Sequence, residues 1–309
     1  MKKTSKTIVF FGSGPVAAES LRMLSEDFQI EAVVTKPKPA HHKGAFPVLE
    51  AAEILGLPIQ TVSNKQDLSD LVARKPFQSQ LAVLVDFGII VGQDAIDYFP
   101  FGIVNSHFSL LPQWRGADPI TFSILSGQEV TGVSLMLLVA EMDEGPLLAQ
   151  APMRLSPDTT TPQLTDDLIE ISHAALKEVL PRYQSGEIVP MPQDSTMPIS
   201  YSRKLTKDDG LIDWTKPAEQ LEREIRAFLE WPKSRTTIGG KEVIITAAHA
   251  MPNQNLDAKP GEVLPDIGTL MITTGNGVLC IDKLKPASKK EMTAAEFLRG
   301  YGQALQKSV

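Results

Sequence analysis

Phe101-Gly-Ile-Val-Asn105-Ser-His107-Phe-Ser109-Leu-Leu-Pro112 is the stretch on which the reading of this 309-residue chain turns. Its first half is apolar and bounded by Gly102, the pattern of a buried strand. Residues two apart on a strand point to one face, so Asn105 and His107 address the same space and Ser106 looks away from it. Pro112 then stops the element. Farther on, Glu141-Met-Asp143-Glu-Gly145 supplies a carboxylate on a separate turn, where it could orient the imidazole. An amide that donates to a developing oxyanion, a histidine that moves protons and an acid that tunes it form an acyl-transfer set. No nucleophile stands among them, which points to direct transfer without an acyl-enzyme. The same residue types are also ordinary turn formers, and spacing alone does not separate the two readings.

Outward from this point, the first half alternates strand and helix patterns, the mark of a parallel α/β sheet. Strands are predicted at Thr7–Phe11, Ile30–Thr35, Pro58–Val62, Leu81–Asp86, Gly102–Asn105 and Gly132–Leu138, and helices near Val16–Ser25, Val48–Leu55, Asp67–Arg74 and Pro119–Ser126. Leu164, Leu168, Ile171, Leu176, Val179 and Tyr183 recur at helical spacing and predict an amphipathic helix over Thr161–Gln184, with His173 off the stripe as a solvated residue. Gly12-Ser-Gly14-Pro-Val-Ala17 fits the phosphate-cradling turn of dinucleotide folds. The second strand ends Val33-Val-Thr35-Lys36, without the terminal acid that a nicotinamide ribose requires, so a tight strand-to-helix turn is the better reading. Residues 1–189 are expected to form one domain, 190–206 a proline-rich linker, and 207–309 a second domain. That domain should open with a helix from Pro217 to Leu229. Five short strands follow, at Thr236–Ile238, Val243–Ala247, Gly261–Leu264, Thr269–Thr273 and Gly277–Leu284, a spacing that suits a small barrel. Gly239-Gly240 marks a hairpin, and Thr293 with Glu296 caps a last helix.

The run Asn105-Ser-His-Phe-Ser-Leu-Leu-Pro-Gln-Trp-Arg-Gly116-Ala-Asp-Pro-Ile120, followed by the Asp143-Glu-Gly145 turn, resembles the signature of the folate-dependent formyltransferases. Within them it is most similar to the methionyl-tRNA formyltransferase family, whose pattern is N-x-H-x-S-L-L-P-x-W-R-G-x-x-P-I and then D-x-G. The resemblance continues through Tyr201-Ser-Arg-Lys204-Leu, Ile212-Asp-Trp214, Gln220–Phe228 and Trp231-Pro232, and so covers nearly the whole chain. It implies a Rossmann-like parallel-sheet α/β domain followed by a small OB-like β-barrel domain. It also implies formyl transfer from 10-formyltetrahydrofolate to the α-amino group of methionyl initiator tRNA, with Asn105, His107 and Asp143 as the catalytic set and no metal. The folate would meet Ser109, Leu110, Leu111 and Pro112, with its pterin against the edge carrying Phe87, Gly88 and Ile90. Several relatives have an aromatic hydroxyl at the position of Phe87. The basic loop Lys36-Pro-Lys38-Pro-Ala-His41-His42-Lys43-Gly44 stands where that family contacts the tRNA acceptor stem, making Lys36, Lys38, His41, His42 and Lys43 the candidate contacts. The loop is shorter than the family form and lacks its arginines. Trp114, Arg115 and Gly116 fall in the family's structural turn.

Net charge is −7, which argues against generic nucleic-acid affinity and leaves any RNA substrate dependent on local basic patches. All of that excess lies before Leu205, because the remainder carries 14 basic and 14 acidic residues. A single cysteine, Cys280, excludes an internal disulfide and any Cys-based zinc site, and sits in an apolar run that suits core packing. Lys2, Lys3 and Lys6 precede an apolar run too short and too glycine-broken for a signal peptide, and no stretch reaches membrane-span length. A cytoplasmic monomer is expected. The alternatives are a nucleotide-sugar amine or glycinamide-ribotide formyltransferase, which would share the Asn, His and Asp core without this C-terminal motif set, and a catalytically silent RNA-binding protein, which would not need the set intact.

Overall fold

A computed structural model describes residues 7–38, 46–252, 258–264 and 268–305. In chain order the elements of the first half are β1 (Thr7–Gly12), α1 (Pro15–Asp27), β2 (Gln29–Thr35), α2 (Pro47–Ile54), β3 (Ile59–Thr61), α3 (Lys65–Ala73), β4 (Ala82–Val85), α4 (Gln93–Tyr98), β5 (Ile103–His107), β6 (Arg115–Gly116), α5 (Pro119–Ser126), β7 (Val130–Leu137), β8 (Leu147–Arg154) and α6 (Thr161–Gln184). Then come β9 (Tyr201–Ser202), a 3₁₀ turn at Lys207–Gly210, α7 (Ala218–Ala227), β10 (Ser234–Ile238), β11 (Lys241–Met251), β12 (Val263–Leu264), β13 (Leu270–Thr273), β14 (Val278–Pro286), β15 (Met292–Thr293) and α8 (Ala294–Leu305). The chain divides into two compact units: Met1–Pro119, Val130–Arg154 and Thr165–Ser202 in the first, and Ile120–Glu129, Leu155–Leu164 and Arg203–Val309 in the second.

The first unit is built on a seven-stranded sheet in the order β3-β2-β1-β4-β5-β7-β8. The five strands from β3 to β5 run parallel, and β1 is buried from Ile8 to Gly12, as a strand covered on both faces must be. Val9, Phe11, Ala32, Val34, Leu84, Phe87, Phe99 and Ile103 share one core. The last two strands depart from the parallel expectation, since β5 pairs antiparallel with β7 and β7 with β8. β8 carries no clean apolar signal because it is an edge strand with alternating exposure, and Pro152 is tolerated there for the same reason. α4 is missed in the sequence because six residues are too few to show a period.

Residues 190–202 fold with the first unit. Met191 bridges to Leu147, and β9 pairs with β6, so this stretch is held rather than spanning freely. His173 corrects the solvated reading: its Nε2 lies 2.9 Å from Asp27 Oδ2.

The second unit is an antiparallel half-barrel, β10-β11-β14-β13-β12 with β15 beside β14. The Gly239-Gly240 hairpin closes on the Ile238–Lys241 pair. Leu221 and Ile225 of α7 and Phe297 of α8 enter its core with Val243, Ile245, Leu279 and Ile281. Thr293 and Glu296 form the expected reciprocal cap, with Thr293 N–H donating to Glu296 at 2.8 Å and Glu296 N–H to Thr293 Oγ1 at 3.3 Å. Among the described residues no helix is long and apolar enough to cross a membrane.

Candidate active site at the end of the fifth strand

β5 brings Asn105 and His107 to the carboxyl end of the parallel strands, where open α/β sheets place their chemistry. Ser106 faces the other way and exchanges a 2.7 Å hydrogen bond with Ser172 of α6, which removes it as a nucleophile. Both site residues are buried in side-chain packing, Asn105 at 7% and His107 at 6% exposure.

His107 is oriented from two sides. A carbonyl can only accept, so Nε2 carries a proton and donates it to Trp114 O at 2.9 Å. Nδ1 is thereby turned toward Asp143 Oδ2 at 3.8 Å. That distance suits an ion pair and is too long for a hydrogen bond, leaving Nδ1 open. Asp143 sits at φ +53°, in the left-handed region that aspartate tolerates. Its Oδ2 accepts the Gly116 N–H at 2.7 Å, and its other oxygen accepts no hydrogen bond among the described residues. Gly145 closes the turn because a Cβ there would stand 1.7 Å from Leu137 O. The Asn105 amide likewise makes no side-chain hydrogen bond among the described residues. An amide, an imidazole nitrogen and a carboxylate oxygen are therefore all left with bonding capacity, and nearly buried polar groups in that state serve a ligand.

The frame around them was not visible in the sequence. Gln193 donates to Asp143 O at 2.7 Å and Gly145 O at 3.0 Å, and accepts from Arg115 at 2.8 Å. Arg115 also pairs with Glu144 at 2.9 Å, which makes it structural, as expected of that turn. Ser134 of β7 and Gln150 of β8 grip the loop after β5: Ser134 donates to Ser109 O and accepts from Leu111 N–H, while Gln150 donates to Leu111 O.

The candidate folate contacts separate into two groups. Leu110 is half-buried, and Gly88 and Ile90 are exposed, so these three can line a pterin pocket. Phe87 cannot offer its side chain, because the ring is packed in the core at 5.4 Å, edge-on, from Phe11. The Ser109 hydroxyl is also spoken for, donating to Gln113 O at 2.5 Å. Leu111 and Pro112 are buried and shape the loop from behind. Of the basic-loop residues, Lys38 lies over the Phe46 ring at 5.6 Å, and Lys36 turns inward to a hollow at the Gly12–Gly14 turn. His41, His42 and Lys43 lie outside the described residues.

That hollow, about 280 Å³, is lined by Ser13, Gly14, Thr35, Lys36, Phe46, Pro47, Leu49, Asp86 and Gly88. Loss of hydration pushes the Asp86 carboxyl up to about 6, Lys36 draws it down and Asp118 pushes it further up. Glu31, the acid nearest a dinucleotide role, is occupied by the Gln78 and Ser79 N–H groups at 2.7 Å each. In the second unit a larger hollow of about 420 Å³ holds two ion pairs, Arg203 with Asp209 and Lys216 with Glu224. On the β11 and β14 strands, His249, Cys280 and Asp282 bring donor atoms within 4.8 Å of one another, with His249 and Asp282 already hydrogen-bonded at 3.0 Å.

Residues 6–180 match the formyl transferase family and residues 204–302 match the formyl transferase C-terminal domain. The methionyl-tRNA formyltransferase of Roseiflexus castenholzii is 37% identical over 302 residues, covering 96% of each chain. Among solved structures, HypX from Aquifex aeolicus in complex with tetrahydrofolic acid superposes with a TM-score of 0.63 at 17% identity, over 97% of this chain and 48% of that one. An N-formyltransferase from Helicobacter canadensis, in complex with folinic acid and dTDP-3-aminofucose, gives 0.67 at 17% identity, over 93% of this chain and all of its own. At that identity the structural likenesses speak for the fold.

Proposed function

The chain belongs to the formyl transferase family, and from that premise we propose that it moves a formyl group from 10-formyltetrahydrofolate to the α-amino group of methionyl initiator tRNA. Similarity to the Roseiflexus enzyme along almost the whole chain supports this acceptor over an amino sugar, for which the likeness is 17%. The observation that carries the chemistry is the free bonding capacity of the Asn105 amide, His107 Nδ1 and the second Asp143 oxygen, with His107 facing Asp143 and Asn105 two residues before it on the same strand face.

The acceptor amine, once neutral, attacks the formyl carbon and a tetrahedral oxyanion forms. Asn105 donates to that oxygen. His107 works through Nδ1, because Nε2 is committed to Trp114 O, and delivers a proton to the leaving folate nitrogen. Asp143 stabilises the protonated imidazole and helps carry away the ammonium proton through water. Gly88 and Ile90 provide an exposed edge of the kind a flat pterin requires, and half-buried Leu110 adds apolar surface to the folate strip. The second unit would contribute tRNA affinity, and the loop with Lys36 and Lys38 would meet the acceptor end. Acting on a substrate of translation, the enzyme would work in the cytoplasm.

The test is incubation with 10-formyltetrahydrofolate and, in parallel, methionyl initiator tRNA or a dTDP-amino sugar. Formylmethionyl-tRNA is the expected product, and transfer to the sugar alone would overturn the assignment.

A further inference from the structure

Asp86 is a second acid at the same edge of the sheet, and the chemistry above leaves it unused. Leu84 of β4 pairs with Asn105 of β5, so Asp86 follows Leu84 by the same two residues as His107 follows Asn105. Its backbone is tied down, with Asp86 O accepting from Ser13 N–H at 3.0 Å and from Gly14 N–H at 3.4 Å. Its carboxylate accepts no hydrogen bond among the described residues, and the residue is exposed at the mouth of the hollow that it lines. The space it occupies exists only because residue 14 is glycine: a Cβ there would lie 1.7 Å from Asp86 Oδ2. Phe46, Pro47 and Leu49 give the same hollow an apolar wall. A bare carboxylate beside an apolar wall is complementary to a cationic amine that carries an apolar side chain.

We infer that Asp86 is a catalytic residue for the acceptor, binding its α-ammonium group in the hollow at the Gly12–Gly14 turn and accepting the proton that must leave before attack. This rests on the aminoacyl acceptor proposed above and specifies which group receives it. The step balances as ammonium plus carboxylate giving neutral amine plus carboxylic acid, the proton passing to solvent when product leaves. Asp143, with one oxygen held by Gly116 and its charge opposite His107, reaches that proton only through water, whereas Asp86 would take it directly. Chemistry also favours Asp86 as the base. An α-amino group titrates at about 7.7–8.0 and an ordinary aspartate at about 3.9. A carboxyl raised to about 6 closes roughly half of that gap. Among the described residues the charges acting on it are Lys36, from the end of β2, and Asp118, ahead of α5, while the Gly12-Ser13-Gly14 turn contributes none.

Two measurements test the inference. The first compares inhibition by a non-hydrolysable amide-linked 3′-methionyl adenosine with its des-amino counterpart, in wild type and in Asp86→Asn. Wild type should favour the amine-bearing compound by about tenfold or more and the variant should lose that preference. An equal preference in both proteins would overturn the proposal. The second follows kcat/KM for methionyl-tRNA against pH. Asp86→Asn should lower it by on the order of 10²-fold at neutral pH, the low end for an acid–base group, and abolish an acid limb near pH 6 while folate KM holds. Variant activity within twofold of wild type, with the limb intact, would also sink it. Gly14→Ala should mimic the loss by displacing the carboxyl, yet add nothing further in an Asp86→Ala background. An additive effect there would mean that Gly14 and Asp86 act separately, against the proposal. If wild type formylates no methionyl-tRNA, the acceptor assignment fails, and calorimetric binding of the same two compounds to wild type and Asp86→Asn still reads whether Asp86 holds an amine.

Discussion

Two turns in the first unit share one short pattern and have opposite surroundings: Asp143-Glu-Gly145 and Asp86-Phe-Gly88. Both aspartates take the left-handed conformation, at φ +53° and +43°. In the first turn the carboxylate accepts Gly116 N–H, and Gln193 holds the carbonyls on either side. In the second only the backbone is held, by the N–H groups of Ser13 and Gly14 and by the Ser13 hydroxyl on Phe87 O, and the carboxylate shares its hollow with Lys36 without accepting a hydrogen bond among the described residues. The local sequence makes the turn, and the element standing opposite decides what the acid can do. One is fixed before any ligand arrives, as an electrostatic group must be if it is to cost no reorganisation during reaction. The other keeps its bonding capacity open to whatever enters the hollow.

The largest effect should come from the fixed turn and its partners. Asn105→Ala and His107→Ala should each lower kcat by roughly 10²–10³-fold, the usual loss for a group acting on the transition state. Asp143→Asn is the sharper probe, because its amide oxygen can still accept from Gly116 N–H while the charge opposite His107 disappears. A comparable fall in kcat with an unchanged melting temperature is expected. Near-wild-type turnover in any of the three would remove that residue from the chemistry.

Gln193→Ala tests whether preorganisation matters in its own right. It removes two bonds to the Asp143 turn and one to Arg115 without touching the reacting groups. Each missing bond costs about 1 kcal/mol of stability. A displaced Asp143 should lower kcat by roughly 10-fold or more, since errors near 1 Å in placement are costly. If thermal denaturation shows destabilisation but kcat is untouched, the turn holds itself and Gln193 is only a brace.

A smaller effect is expected where the hollow meets solvent. Lys36, Lys38 and Lys43 changed together to Ala should weaken tRNA binding and reduce the log–log salt slope by about 0.7–0.9 for each phosphate that is no longer neutralised. Lys36 alone should contribute less to that slope than Lys38, because it lies against Gly88 and acts on Asp86. Titrations across a salt series give both numbers. An unchanged slope in the triple variant would move the basic contacts to the second unit.

These contrasts mark how far sequence reading carries. The β5 strand, its paired Asn105 and His107 and the opposed Ser106 were legible because alternation and a terminal proline are local signals, and α6 was legible from end to end because 24 residues display their period. β8 and the antiparallel turn of the sheet were not, since an edge strand needs no apolar stripe. Gln193, Ser134 and Gln150 were missed because each supports a loop far away in the chain, and a polar residue in a proline-rich stretch looks the same whether it is solvated or buttressing an active-site turn. Phe87 was misplaced for the converse reason: a residue at a strand end can turn inward as easily as outward, and the Phe11 ring decided it. Asp86 depends on Gly14, which only the register of β1 against β4 brings beside it.

The finest test of the comparison is thermal, and it asks whether the open acid burdens the fold. Burial raises the Asp86 carboxyl to about 6 from the ordinary value near 3.8, so the folded chain holds this proton more tightly than the unfolded one. Between about pH 4 and pH 6 the unfolded state binds fewer protons, and stability must fall as pH rises through that window. Above it the penalty is complete; below it there is none. Asp86→Asn carries no such titration and suits the same left-handed backbone. The variant should therefore melt slightly higher than wild type at pH 8 and at the same temperature at pH 4, a gain in stability exchanged for activity. Melting curves across this range measure the difference. A variant less stable than wild type at pH 8 would mean that Asp86 is satisfied in the folded protein, and the contrast between the two turns would collapse.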